Sequence, residues 1–179
     1  VPVAGAGLFL LYGVAAKREW QSVLEFYAET LAIVYPSVSA IICMQSVMQE
    51  LKAGNFQNLL CVSTLRWSAT LRKILTLWIL GLAASLLAFL LFGMGVWGTK
   101  AAWNLSVKEY LICGLILWIT QAGIYLLHFF LAMRFGSGAC LAAGVTQSLI
   151  AALLFTGLGD GLWMWFPCGW SGHLLLYYV

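Results

Sequence analysis

Charge is what this chain has least of. Nine basic and six acidic side chains are spread over 179 residues, so 8% of the chain is charged while 63% is hydrophobic. An ordinary soluble domain is about half apolar and roughly a quarter charged. A soluble fold of this length has no way to hide so much apolar surface, which excludes that class. The five cysteines, at 43, 61, 113, 140 and 168, show no C-x-x-C or comparable spacing. That argues against a disulfide framework or a zinc site, and they read as small apolar packing residues. No Walker A pattern is present, so the chain does not hydrolyse ATP by itself. Gly157-Leu158-Gly159-Asp160-Gly161 lacks the glycine spacing and the strand–helix setting of a dinucleotide fingerprint. No carboxylate falls within an uncharged run, so no proton relay is visible, and no paired acids or neighbouring Ser and His mark an intramembrane enzyme. The net charge of +3 fits a membrane protein, and no nucleic-acid partner is expected.

What the chain does have is uncharged length. The runs Val1 to Ala16, Thr30 to Gln49, Ile74 to Thr99, Tyr110 to Met133 and Phe135 to Gly159 carry no charge, and the mean hydropathy is +0.96. A hydrocarbon core of about 30 Å needs about 20 helical residues to cross it. Four runs meet that length. The first is shorter and reads as the end of a span whose start is missing. No basic region precedes it and no small-residue cleavage pattern closes it, so it does not read as a signal peptide. Gly161 to Val179 is also uncharged but holds Pro167 and three glycines. It is expected to be a broken helix or a re-entrant segment leading to a sixth span. Barrel strands would alternate over about 10 residues. Stretches such as LWILGLAASLLAFLLFG do not alternate, so the expected fold is all-α: a polytopic helical membrane bundle, read as a single permease domain over 1–179 and truncated at both ends.

If the connector Glu50 to Lys73 faces the cytoplasm, that side holds Lys52, Arg66, Arg72, Lys73 and Arg134, against Lys17, Arg18, Lys100 and Lys108 opposite. Five against four is a weak positive-inside bias, and it favours this orientation. Within the connector, Phe56, Leu59 and Leu60 fall on one helical face with Asn55, Gln57 and Asn58 on the others. Such a short amphipathic helix suits either the membrane surface or a groove on a partner, and an ordinary juxtamembrane loop is the plainer alternative. Gly54 marks a bend. Near the other end, Trp163, Trp165, Phe166, Trp170, Tyr177 and Tyr178 form a dense aromatic cluster. It reads as an interfacial aromatic belt or as an outer gate that contacts substrate and is stiffened by Pro167. Asp160 is positioned to meet a cation or to cap a helix. His128 lies mid-run and reads as a neutral histidine bonded to a neighbouring helix. Pro36 is expected to kink its span, and Gly136, Gly138, Ala139, Ala142, Ala143 and Gly144 allow close helix approach.

Several of these segments resemble one family in the same order. Glu50-Leu51-Lys52-Ala53-Gly54-Asn55-Phe56-Gln57-Asn58-Leu59-Leu60 is similar to the first cytoplasmic loop of permeases from lantibiotic-immunity ABC transporters. Thr156-Gly157-Leu158-Gly159-Asp160-Gly161-Leu162-Trp163 and Phe166-Pro167-Cys168-Gly169-Trp170 resemble the extracellular segment before the last span, particularly in the subunit type called the G permease. Val1-Pro2-Val3-Ala4-Gly5 with Leu8-Phe9-Leu10-Leu11-Tyr12 resembles the first span, and Met133-Arg134-Phe135-Gly136 the short second cytoplasmic loop.

The resemblance implies an ABC-2 type permease with six spans in the full protein. It implies pairing with a second, homologous permease and with a dimer of a separate ATPase that binds ATP and magnesium. The cargo would be lantibiotic peptides, expelled from the bacterial cytoplasmic membrane of a Gram-positive cell. Residues 50–60 would be the coupling helix in a cleft of the ATPase, with Glu50, Leu51, Lys52, Gly54, Asn55, Phe56, Gln57, Leu59 and Leu60 at that contact. Residues 157–172 would be an extracellular re-entrant segment, with Asp160, Trp163, Trp165, Phe166, Pro167 and Trp170 at the outer gate. Export of another peptide antibiotic or a lipid, or a non-transporting role in membrane assembly, remains the alternative.

Overall fold

Where the uncharged runs lie, helices form, and some overshoot them. The computed structural model describes residues 2–16, 20–54, 66–98, 106–156, 159 and 161–179. The helices are α1 (Pro2–Ala16), α2 (Trp20–Lys52), α3 (Arg66–Gly98), α4 (Val107–Thr120), α5 (Ala122–Phe135), α6 (Ser137–Leu154) and α7 (Pro167–Tyr178), with a single 3₁₀ turn at Trp163–Trp165. No strand occurs among the described residues. Four helical stretches are long and apolar enough to cross a membrane: Trp20–Lys52, Ser68–Gly98, Val107–Phe135 and Ser137–Leu154. The chain is therefore an all-α helical membrane bundle.

Local chemistry sets the breaks. Gly54, with φ +131, follows the last turn of α2, and Gly136, with φ +87, separates α5 from α6. Both conformations are cheap only for glycine. At the start of α4 the Glu109 carboxylate accepts the Ser106 backbone N–H at 2.5 Å, which satisfies a donor left over at the helix start. Pro167 stands in the first turn of α7, where its missing N–H costs nothing.

The contacts define direction. Along α2, Ser37 and Ala40 meet Ser148 and Cys140 of α6 in reverse order, so these two helices are antiparallel. Tyr35 and Tyr27 bond the carbonyls of Gly81 and Ala88, so α3 is antiparallel to α2 as well. The base of the hairpin, Glu50 with Lys73, and the α5–α6 turn at Arg134 thus lie at one end. The core is stacked in three clusters along α2. Nearest that base are Ala40, Cys43, Val47, Tyr125, Phe129, Ala132 and Cys140. Ile124, Ala151, Leu154 and Cys168 lie between. Farthest away are Val23, Leu24, Tyr27, Phe89, Phe92, Tyr110 and Leu117, with Ala6 of α1 and Leu175 of α7. At 33 residues, α2 is about 50 Å long, taller than a hydrocarbon core of about 30 Å.

The run Tyr110 to Met133 is not one uninterrupted helix. It breaks at Gln121, which is fully buried and donates from Nε2 to Ser171 Oγ at 3.1 Å. α7, only 12 residues long, begins beside Leu154 and Cys168, passes Gln121 at Ser171 and reaches the far cluster at Leu175. It runs away from the Glu50 end and stacks beyond the end of α6.

Candidate functional site

Two regions singled out from the sequence lie at different heights of this bundle. At the base, Glu50, Leu51, Lys52 and Gly54 close α2. Glu50 accepts an ion-paired hydrogen bond from Lys73 of α3, so the carboxylate proposed to reach an ATPase already ties the two spans together. Leu51 is exposed at 37%. Asn55, Phe56, Gln57, Leu59 and Leu60 lie outside the described residues, as does Asp160.

The aromatic segment divides into an inner and an outer part. Trp163 stacks on His173 with ring centroids 4.8 Å apart, and Phe155 stacks on the same imidazole at 5.3 Å. His173 Nε2 sits 3.2 Å from the Leu154 carbonyl, which accepts its proton. Two glycines make room, because a Cβ on Gly172 would fall 1.8 Å from the Phe155 ring and one on Gly169 2.7 Å from Leu154. The Trp170 indole donates to the Met164 carbonyl at 3.0 Å. Facing outward are Trp165 and Tyr177, each 82% exposed, and less strongly Phe166, Trp170 and Tyr178. Trp163 is thus a packing residue of the turn, whereas Trp165 presents a free indole. Glu29 of α2, not singled out from the sequence, lies within electrostatic reach of His173.

The fold also builds a polar seam that no spacing announced. Ser37 of α2 directs its backbone N–H to Ser148 Oγ at 3.2 Å, and the two hydroxyls meet at 2.7 Å. Ser37 Oγ also donates to the Gly144 carbonyl at 3.3 Å. Ser39 Oγ lies 2.8 Å from the Pro36 carbonyl and 3.0 Å from His128 Nδ1. His128 is bonded to a neighbouring helix, as its place in an apolar run led one to expect. The expectation that no Ser and His cluster inside the spans is corrected here: they are 89 residues apart in sequence and adjacent only once α2 and α5 pack. Both have no exposed surface, and the seam they belong to joins helices. A second unforeseen junction is the pair Trp78 and Trp118, stacked at 4.1 Å. Each indole donates to the other residue's carbonyl, at 3.2 and 2.7 Å. The signal available in the sequence was a few lone polar residues, Ser37, Ser39, Gln121, Gln147 and Ser148, inside otherwise apolar runs.

No group of three or more metal-ligating side chains occurs among the described residues, and Cys43, Cys113, Cys140 and Cys168 are buried free thiols. No family model matches the chain, and neither a curated protein nor a solved structure matches it.

Proposed function

We propose that this chain is one permease subunit of an ATP-driven ABC-2 exporter that expels lantibiotic peptides from the bacterial cytoplasmic membrane, giving self-immunity or resistance. The observation that carries the reading is the vertical order of the bundle. An ion-paired hairpin base, Glu50 with Lys73, lies at one end of the spans. An aromatic turn with an outward-facing Trp165 follows α6 at its other end. The resemblance of both segments to lantibiotic-immunity permeases points the same way.

On this reading a separate ATPase dimer binds ATP and magnesium and moves residues 50–60 when it closes. The Glu50–Lys73 pair delivers that displacement to α2 and α3 together, as coupling through rigid elements requires. A second permease completes the pathway. At the far side, Trp165, Phe166 and Trp170 offer apolar and cation–π contact to an amphipathic, cationic peptide.

The test is survival of a sensitive Gram-positive host under lantibiotic challenge. It expresses the ATPase and the second permease with and without this subunit. Resistance lost on omitting this chain alone supports the reading; resistance unchanged, with the other subunits expressed, discards it.

A further inference from the structure

We propose that the cleft between α1 and α2, at the end of the bundle away from Glu50, is a binding site for one phospholipid with an amine headgroup. The cleft measures about 220 Å³ and is lined by Tyr12 of α1 and by Ser22, Val23 and Phe26 of α2. Tyr12, Ser22 and Phe26 belong neither to the polar seam nor to the proposed outer gate. The depth of the cleft fits a headgroup. The stretch of α2 from Phe26 to Glu50 is about 36 Å long. A hydrocarbon core is about 30 Å thick, and its headgroup layers bring the bilayer to about 40–45 Å. With the ion-paired base at one boundary, the cleft opens among the headgroups of the opposite leaflet.

The walls fit an ammonium group. Val23, 1% exposed, is the floor. Tyr12 and Phe26 form a wedge, with ring centroids 6.4 Å apart and planes inclined at 49°. Phe9 backs Phe26 at 5.5 Å, while the two wedge rings stay 45% and 51% exposed. A cation held by an aromatic face sits within about 6 Å of the ring centroid, so one ammonium in the wedge meets both rings. The Ser22 and Tyr12 hydroxyls can accept its N–H groups. Glu25 follows Ser22 by three residues and shares its face of α2. Its Oε1 accepts Gln21 Nε2 at 3.3 Å, and the carboxylate supplies the opposite charge at the rim. Beneath the cleft, α1 offers a track for the tails. The end of α1 meets Trp20, where a Cβ on Gly13 would stand 2.8 Å from the indole, and Phe9 packs lower down on Tyr27 at 5.2 Å. Leu8 and Leu11 share the face of Tyr12 and are 67% and 69% exposed. An acyl chain can lie along them while the headgroup fills the wedge. That continuity of a cation-binding head and an apolar face selects a lipid over a soluble amine. The site does not rest on the export reading.

The experiment uses the full chain in nanodiscs holding equal amounts of phosphatidylethanolamine and phosphatidylglycerol with the same acyl chains. Native mass spectrometry identifies the lipid that stays on the released protein. Phosphatidylethanolamine is expected to be retained about fivefold over phosphatidylglycerol. Phe26→Leu keeps the apolar bulk but removes a ring face, and should cut that preference about threefold, the equivalent of one exposed cation–π contact. Tyr12→Leu should do the same. Glu25→Gln keeps the side-chain shape, should cut the preference about twofold, and carries the test if the ring variants are not monodisperse. Equal retention of the two lipids overturns the site, as does a preference that survives all three substitutions. Preferred retention of phosphatidylglycerol overturns it as well, and would assign lipid recognition to Lys17 and Arg18, which follow α1 in the sequence. The assay needs neither ATPase nor lantibiotic, so this site and the export reading fail independently.

Discussion

Gly144 and Gly138 lie less than two turns apart on α6, and the same substitution at the two should change stability in opposite directions. At Gly144 an added methyl would meet Ala40 Cβ at 2.4 Å, Pro36 O at 3.2 Å and Ser37 Cα at 3.4 Å. Non-bonded carbons rest at about 3.5–4.0 Å, so α2 and α6 must separate by more than about 1 Å at their closest point. Two of the three obstacles are backbone and the third is a Cβ, so no flexible side chain can swing aside. Overpacking of this kind costs about 1–3 kcal/mol. Separation also stretches the Ser37 Oγ bond to the Gly144 carbonyl, now 3.3 Å. Against this, replacing a helical glycine gains about 0.5–1 kcal/mol. The net expectation for Gly144→Ala is a loss of about 1–2 kcal/mol. At Gly138 nothing lies within 4 Å of the added methyl, so only the favourable contribution remains and Gly138→Ala should be neutral or stabilising by up to about 1 kcal/mol. Reversible unfolding in mixed micelles measures both. Equal shifts of the same sign would refute the assignment of the α2–α6 contact to Gly144.

Three further outcomes are expected. Trp78→Phe and Trp118→Phe each remove one indole-to-carbonyl bond while keeping a ring in the stack, so each should lower unfolding stability by about 1 kcal/mol. The larger loss should fall at Trp118, whose bond is shorter; wild-type stability in both variants would discount the clasp. Trp163→Ala should lower stability by at least about 1 kcal/mol through loss of its stack on His173. Trp165→Ala should leave stability within about 0.5 kcal/mol and reduce lantibiotic resistance in the survival assay, whereas full resistance would remove Trp165 from the substrate surface. Phe56→Ala should abolish resistance while membrane insertion, followed by fractionation, is unaffected, because aromatic anchors dominate many interfaces.

Much of the fold was legible because lipid imposes a simple rule. A run such as Ile74 to Thr99 can only be helical in a bilayer, and helices of the predicted type stand at each of the four long runs. Helix ends were less legible. α2 begins at Trp20 and α3 at Arg66, several residues outside the uncharged runs, because tertiary packing extends helices past the hydrocarbon boundary. The break at Gln121 was missed, since one amide in an apolar run carries no periodic signature. Only α7, docking Ser171 against it, supplies the partner of that amide. At the candidate sites the sequence marked Trp163 and Trp165 alike as aromatic. Their division into a stacked ring and an exposed ring depends on His173 and Phe155, which arrive from α7 and the end of α6.

Composition and run length alone dictate the solvent this protein needs, its helical class and the segments that must cross. Those properties follow from backbone hydrogen bonding in a medium without water, and they require no knowledge of neighbours. Packing decided the rest. Whether Gly144 or Gly138 is the point of contact, whether His128 meets Ser39, and whether Glu50 is tied to Lys73 all depend on which faces of distant segments are pressed together. No run length or spacing encodes that choice, because membrane helices associate through close fit and a few polar contacts rather than through hydrophobic contrast.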